Sequence, residues 1–231
     1  MLIIADIRMP LAAKARLMLD GEVLWLEPQK PIYEAIAAHP DIFFCESNRK
    51  LIASPNIPEA WKQKLQNAGI EPLFGTSFPG STYPQTAVFN AVVTETLLVH
   101  HLKITDPVLL ATMPVSKHLH TQQGYARCNL FPLSADCFIT GDRDIYNRLR
   151  NLKMEVVWVE SRQIQLPGFR NGFVGGCFGR YGNKVYFCGN LDDLTEAKAI
   201  REALDQHHLE LVNLFEGPPT DVGSIFFIDF D

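Results

Sequence analysis

Four segments of the chain share one plan: an amphipathic helix, a turn, a glutamate, then a short apolar strand. Residues 10–19 read as helix, Gly21 stops it, and Glu22 opens an apolar run. Residues 58–68 place Ile57, Trp61, Leu65 and Ala68 at helical spacing, Gly69 ends the helix, and Glu71 leads toward Leu73 and Phe74. Asp142 can cap a third helix carrying Ile145, Leu149 and Leu152, with Glu155 and an apolar strand after it. Asp193 and Glu196 resemble a capping box ahead of Ala197, Ile200 and Leu204, and Glu210 again precedes a strand. Apolar steps of three and four lay one stripe along each helix, and the pattern then switches to that of a strand.

Each strand is followed by a loop and a β-hairpin. The hairpin arms are 41–45 with 50–53, 87–93 with 97–100, 127–131 with 136–140, and 172–177 with 184–188. Ser47-Asn48 and residues 181–183 supply turn chemistry between arms, while the helix near 105–113 is short and weakly marked. A last arm, 220–228, finds its missing partner in residues 2–5 at the other end of the chain. Five hairpins in 231 residues give a period of roughly 46 residues. A solenoid needs polar capping repeats; here the termini read as halves of one unit, which predicts a closed ring, one domain over 1–231. The competing arrangement is an open doubly wound sheet, but recurring hairpins demand antiparallel pairs that it does not supply.

Composition narrows the function classes. The net charge is −5 and no basic run tracks along the chain, so the reading is no nucleic-acid partner. No apolar run is long enough for a bilayer and the N-terminus meets Asp6 too soon for a signal peptide, so no membrane partner is expected. Cys45, Cys128, Cys137, Cys177 and Cys188 form no CxxC pair, which argues for a reducing, cytoplasmic setting without disulfides or a zinc finger. His100-His101, His118-x-His120 and His207-His208 lack a third ligand at metal spacing, so no metal and no cofactor is expected.

The five-unit ββαβ ring with joined ends resembles the pentein (guanidino-group-modifying enzyme) superfamily. The stretches 123–129, 166–176 and 220–223 are similar to an uncharacterised bacterial branch of it. The resemblance implies an α/β fold, a pentein-like β/α propeller of five units with pseudo-five-fold symmetry around a central channel. It also implies a small guanidino or amine-bearing ligand, and C–N bond hydrolysis or amidino transfer through cysteine, histidine and carboxylates. Carboxylates orient a planar cation, a thiolate attacks its carbon, and histidine moves protons. The family usually carries the cysteine in its last unit; residues 217–226 contain none, and the family's His-x-x-Asp pattern is not recognisable.

Polar residues at the starts of the hairpin strands are the candidates for the channel. Cys128 is the catalytic candidate, with Arg127 beside it as a cation that favours thiolate, although neighbours on a strand face opposite ways. Asn90, Asn129, Asn171, Thr220 and Asp221 are the ligand-binding candidates, and Asp221 is the leading cation partner because it is an acid just ahead of an apolar strand. Cys177 ranks second among thiols, and the other three read as core. Gly172, Gly175, Gly176, Gly179 and Gly182 match no phosphate-loop pattern and imply close backbone packing or backbone approach to a ligand. Two functions stand side by side: a guanidino-group hydrolase or transferase, and a non-catalytic pentein that binds or scaffolds.

Overall fold

The computed structural model describes residues 1–47 and 49–229. Asn48 of the expected Ser47-Asn48 turn lies outside them. Among the described residues, fifteen strands form five sheets of three. In chain order these are β1 (Leu2–Asp6), β2 (Glu22–Leu26), β3 (Phe44–Ser47), β4 (Lys50–Ala53), β5 (Leu73–Phe74), β6 (Val92–Val93), β7 (Leu98–His100) and β8 (His118–His120). They continue with β9 (Leu130–Pro132), β10 (Cys137–Thr140), β11 (Glu155–Trp158), β12 (Phe178–Tyr181), β13 (Lys184–Phe187), β14 (Glu210–Asn213) and β15 (Phe226–Ile228).

Every sheet has the same construction. A hairpin pairs its first two strands antiparallel, and a crossover returns the third parallel to the second. The first unit is assembled from both chain ends: β15 pairs antiparallel with β1, Leu2 opposite Ile228, and β1 pairs parallel with β2. The crossover helices are α1 (Leu11–Leu17), α3 (Glu59–Asn67), α4 (Pro107–Ala111), α6 (Arg143–Asn151) and α7 (Ala197–Gln206). Between crossovers run two shorter helical turns, α2 (Pro40–Phe43) and α5 (Ala126–Asn129). Trp61 and Leu65, Ile145 and Leu149, and Ile200 and Leu204 are the buried stripes, as their spacing predicts.

The ring closes through its cores. One apolar cluster fills each seam between neighbouring units, first to second, second to third, and so on back from fifth to first. Successive residues of one strand enter different seams. Ile4 packs toward the second unit and Ile3 toward the fifth; Phe138 packs toward the third and Ile139 toward the fifth. A sheet buried on both faces needs apolar residues at consecutive positions, which is why the strands read as unbroken hydrophobic runs. The expected five-unit ring is therefore present, and the open doubly wound sheet is not.

Two local expectations are corrected. Residues 41–43, 126–129 and 174–177 are not strand but helical or 3-10 turns just ahead of β3, β9 and β12. Residues 87–90 likewise are not strand but complete and follow a 3-10 turn at Gln85–Ala87 ahead of β6. The chain must leave one seam and enter a strand at the axis, and a tight turn supplies that change of direction in few residues. Asp193 and Glu196 do not form a capping box. Asp193 ends a 3-10 turn, and the Glu196 carboxylate instead accepts from Gln163 Nε2 at 2.8 Å and Glu160 N at 3.3 Å. Asp142, by contrast, caps α6 as expected, accepting from Ile145 N at 2.9 Å.

Candidate functional site

The turns ahead of the first strands meet at the axis of the ring, joined by an unbroken circle of hydrogen bonds. Asp41 N donates to Gly223 O, and Arg127 N to Asn90 O, at 3.1 and 2.9 Å. Asn90 Nδ2 donates to Asp41 O at 3.2 Å, and Arg127 Nη1 to Gly175 O at 2.9 Å. Ser224 N and Val222 N donate to Gly176 O at 2.9 and 3.2 Å, completing the circle.

Asp41 is the hub. Its Oδ2 accepts from the Cys128 thiol at 3.0 Å and from the Ser224 hydroxyl at 2.9 Å. Its Oδ1 is buried without a hydrogen-bond partner among the described residues. Asn90 holds the cysteine from both sides, donating to Sγ at 3.2 Å and accepting from Cys128 N at 3.1 Å. Beside this group His39 lies between two acids, Nε2 3.9 Å from Asp6 and Nδ1 4.0 Å from Asp221. Asp221 is fixed by Phe173 N at 2.9 Å and Gly223 N at 3.0 Å, and Asp6 by the Arg8 guanidinium at 2.6 Å. All the side chains of this cluster apart from Arg8 are buried.

Burial sets the protonation of the cluster. It pushes the Cys128 thiol well up, and the carboxylates of Asp41 and Asp221 push it further. Desolvation likewise raises Asp41 and Asp221 despite their hydrogen bonds, and lowers His39 despite its two acidic neighbours. Each group is thus driven toward its neutral form, with the thiol as donor and the carboxyl of Asp41 as acceptor.

Of the sequence candidates, Cys128, Asn90 and Asp221 come together here. Asn129, Asn171 and Thr220 turn to their own backbone: Asn129 Nδ2 donates to Tyr125 O, Asn171 Nδ2 to Gly172 O and Thr220 Oγ1 to Pro218 O, at 3.0, 2.9 and 2.9 Å. Arg127 departs from Cys128 along the turn. Its guanidinium spans the carbonyls of Gly175 and Phe178 and sits over the rings of Phe131 and Phe226. Cys177 is buried, its Sγ 3.7 Å from Phe173 O. His118 and His120 bond backbone instead, at Met113 O and Leu102 N.

The sequence reading missed His39, Asp41, Asp6 and Ser224. The signal that selected Asp221, an acid just ahead of an apolar strand, is equally present at Asp41, which precedes Ile42, Phe43 and Phe44. Gly172, Gly175, Gly176 and Gly179 are packing devices, as expected, whereas Gly182 has open space around it and serves a turn at positive φ. A Cβ on Gly176 would fall inside the contact shell of the Asp221 carboxylate, and one on Gly175 would meet the carbonyls of Arg127 and Cys128.

Five ββαβ units around an axis, with the chain ends sharing one sheet, define a pentein fold. Among solved structures, the chain is similar to SxtG, an amidinotransferase of the saxitoxin biosynthetic pathway from Microseira wollei. The TM-score is 0.51 at 12% identity, over 92% of this chain and 87% of that one. It is also similar to DDAH from Pseudomonas aeruginosa, a cysteine-to-serine mutant complexed with citrulline, at TM-score 0.48 and 8% identity over 92% and 91% of the chains. Within that class the chain belongs to the family of unknown function DUF6873, matched over residues 4–226. No curated protein sequence matches it.

Proposed function

We propose that the protein binds a small guanidino or amine-bearing molecule at the axis of the ring. Asp41 and Asp221 take its N–H groups, and Cys128 is the nucleophile for C–N bond chemistry on it. Asp41 carries this reading: a fully buried carboxyl with one oxygen engaged by a thiol and a hydroxyl, and the other unpartnered. A buried acceptor without a donor is costly. A planar cation with several N–H groups supplies that donor and offsets the burial of two acids.

The bound cation favours the ionised carboxylate of Asp41, which in the attack accepts the thiol proton as sulfur bonds to the guanidino carbon. The C–N bond then breaks, the leaving amine carries that proton away, and water or an acceptor amine displaces the sulfur. Asn90 positions the thiol, and Asn129, Asn171 and Thr220 hold the turns. We take residues 1–231 as one pentein-like domain because β1 and β15 share a sheet. The free, buried cysteines fit a reducing, cytoplasmic compartment; among the described residues no helix is long and apolar enough to cross a membrane.

The second reading is a non-catalytic binder, favoured by the burial that keeps Cys128 protonated. Mass spectrometry separates the two. Incubation with arginine, agmatine or methylarginines is expected to leave an adduct on Cys128 and release amine or ureido product, both lost in Cys128→Ser. Calorimetric binding without adduct or product selects the second reading. Neither binding nor adduct contradicts both.

A further inference from the structure

The seam between the fourth and fifth units carries three donor side chains that the axial site does not use. Cys137, the first residue of β10, stands in register with Glu155, the first residue of β11. His207 is the C-cap of α7 in the neighbouring unit. One ligand atom from each lies within 4.8 Å of the other two, and His207 Nε2 is 3.5 Å from Glu155 Oε2.

We propose that Cys137, Glu155 and His207 bind one borderline-soft divalent cation, zinc in preference to magnesium or calcium, and so tie the fourth unit to the fifth. Thiolate, imidazole and carboxylate are the three donor types that zinc takes from proteins, whereas magnesium and calcium demand oxygen donors. Donor atoms around a tetrahedral ion of this size sit about 3.3–3.8 Å apart, so the cluster has to close by about 1 Å. Glu155 has the freedom to do so. Its side chain is 46% exposed and that of His207 24%, while Cys137 is buried beneath them. Solvent therefore supplies both an entry path and the fourth ligand. The C-terminal end of α7, where backbone carbonyls point outward, adds a favourable field for a cation.

The fold repeat alone does not account for this grouping. The same glutamate opens the third strand of other units, where Glu22 faces Leu2 and Glu210 faces Lys184 in register. Glu22 is paired with Lys64. Among the described residues, only in the fourth unit does the glutamate face a thiol, and there the helix of the next unit brings an imidazole to the same point.

The test is titration of chelator-treated protein with Zn²⁺ and Co²⁺. We expect one ion per chain, a melting point that rises with zinc, and a thiolate-to-cobalt charge-transfer band. His207→Ala, a surface change that leaves the core intact, is expected to weaken zinc binding at least tenfold, and Cys137→Ser to abolish the cobalt band. A band that is absent at saturating cobalt or persists in Cys137→Ser would overturn the proposal. So would unchanged zinc affinity in His207→Ala, even if the serine variant proves too unstable to assay.

Discussion

Gly176 shows how tightly the axis is built. The Asp221 carboxylate occupies the space a Cβ needs, and Asp221 is itself held by two backbone amides. Gly176→Ala must push Asp221 or the turn aside, and we expect it to cost about 1–3 kcal/mol in urea unfolding. Loss of the axial hydrogen bonds should accompany it, seen as faster amide exchange at Ser224 and Val222. His100 makes a separate prediction. Its Nδ1 meets the Thr105 hydroxyl and its Nε2 the carbonyl of Gly124, each at 2.7 Å, so the buried neutral ring has a partner on both sides. Burial, the largest cause, lowers its pKa from 6.5 to about 4. The unfolded chain therefore binds this proton first. Stability should be fully present above about pH 6.5 and fall as pH drops toward 4, by up to about 3 kcal/mol from this residue. The slope of unfolding free energy against pH in that window should flatten in His100→Gln.

At the scale of elements, the crossover helices and the strands were legible in the sequence, because each buries a stripe or a run that sequence spacing records. Trp61 with Leu65 and Ile200 with Leu204 are such cases. The turns ahead of the first strands were not legible. Asp41, Asn90 and Cys128 sit among apolar residues that serve a strand or a buried turn equally well, and only the circle of inter-unit hydrogen bonds decides between them. Cys128 was found because a cysteine stands out by type, whereas Asp41 carries the same signal as Asp221 and was read only as the first residue of a strand arm. The weakly marked third crossover depends on Asp106. Its carboxylate accepts from Val108 N at 2.8 Å, capping α4, and from Thr76 N and Ser77 N at 2.8 and 2.6 Å, pinning the loop after β5. Burial would raise its pKa, but those donors outweigh burial and lower it. Asp106→Ala leaves three amides without their acceptor, and a loss of about 2–4 kcal/mol is expected, with Asp106→Asn losing less. Chemical denaturation of both variants checks the order.

On the scale of the molecule, closure of the ring is what makes the site. Five seams packed by one apolar cluster each leave the axis to the turns, and four of those turns contribute Asp41, Asn90, Cys128 and the Asp221–Ser224 pair to a single buried polar centre. No single unit contains the site, so sequence reading unit by unit finds its members only one at a time. The reading of that centre as a cation site rests on the unpartnered oxygen of Asp41. The measurement that tests it most directly is the melting temperature of the wild type and of Asp41→Asn across arginine, agmatine, methylarginines and creatinine. A selective ligand raises the melting point by mass action whether or not it is turned over. The account predicts a dose-dependent rise with at least one of these compounds in the wild type, and none in Asp41→Asn. No rise across the panel, or an equal rise in both proteins, would contradict it.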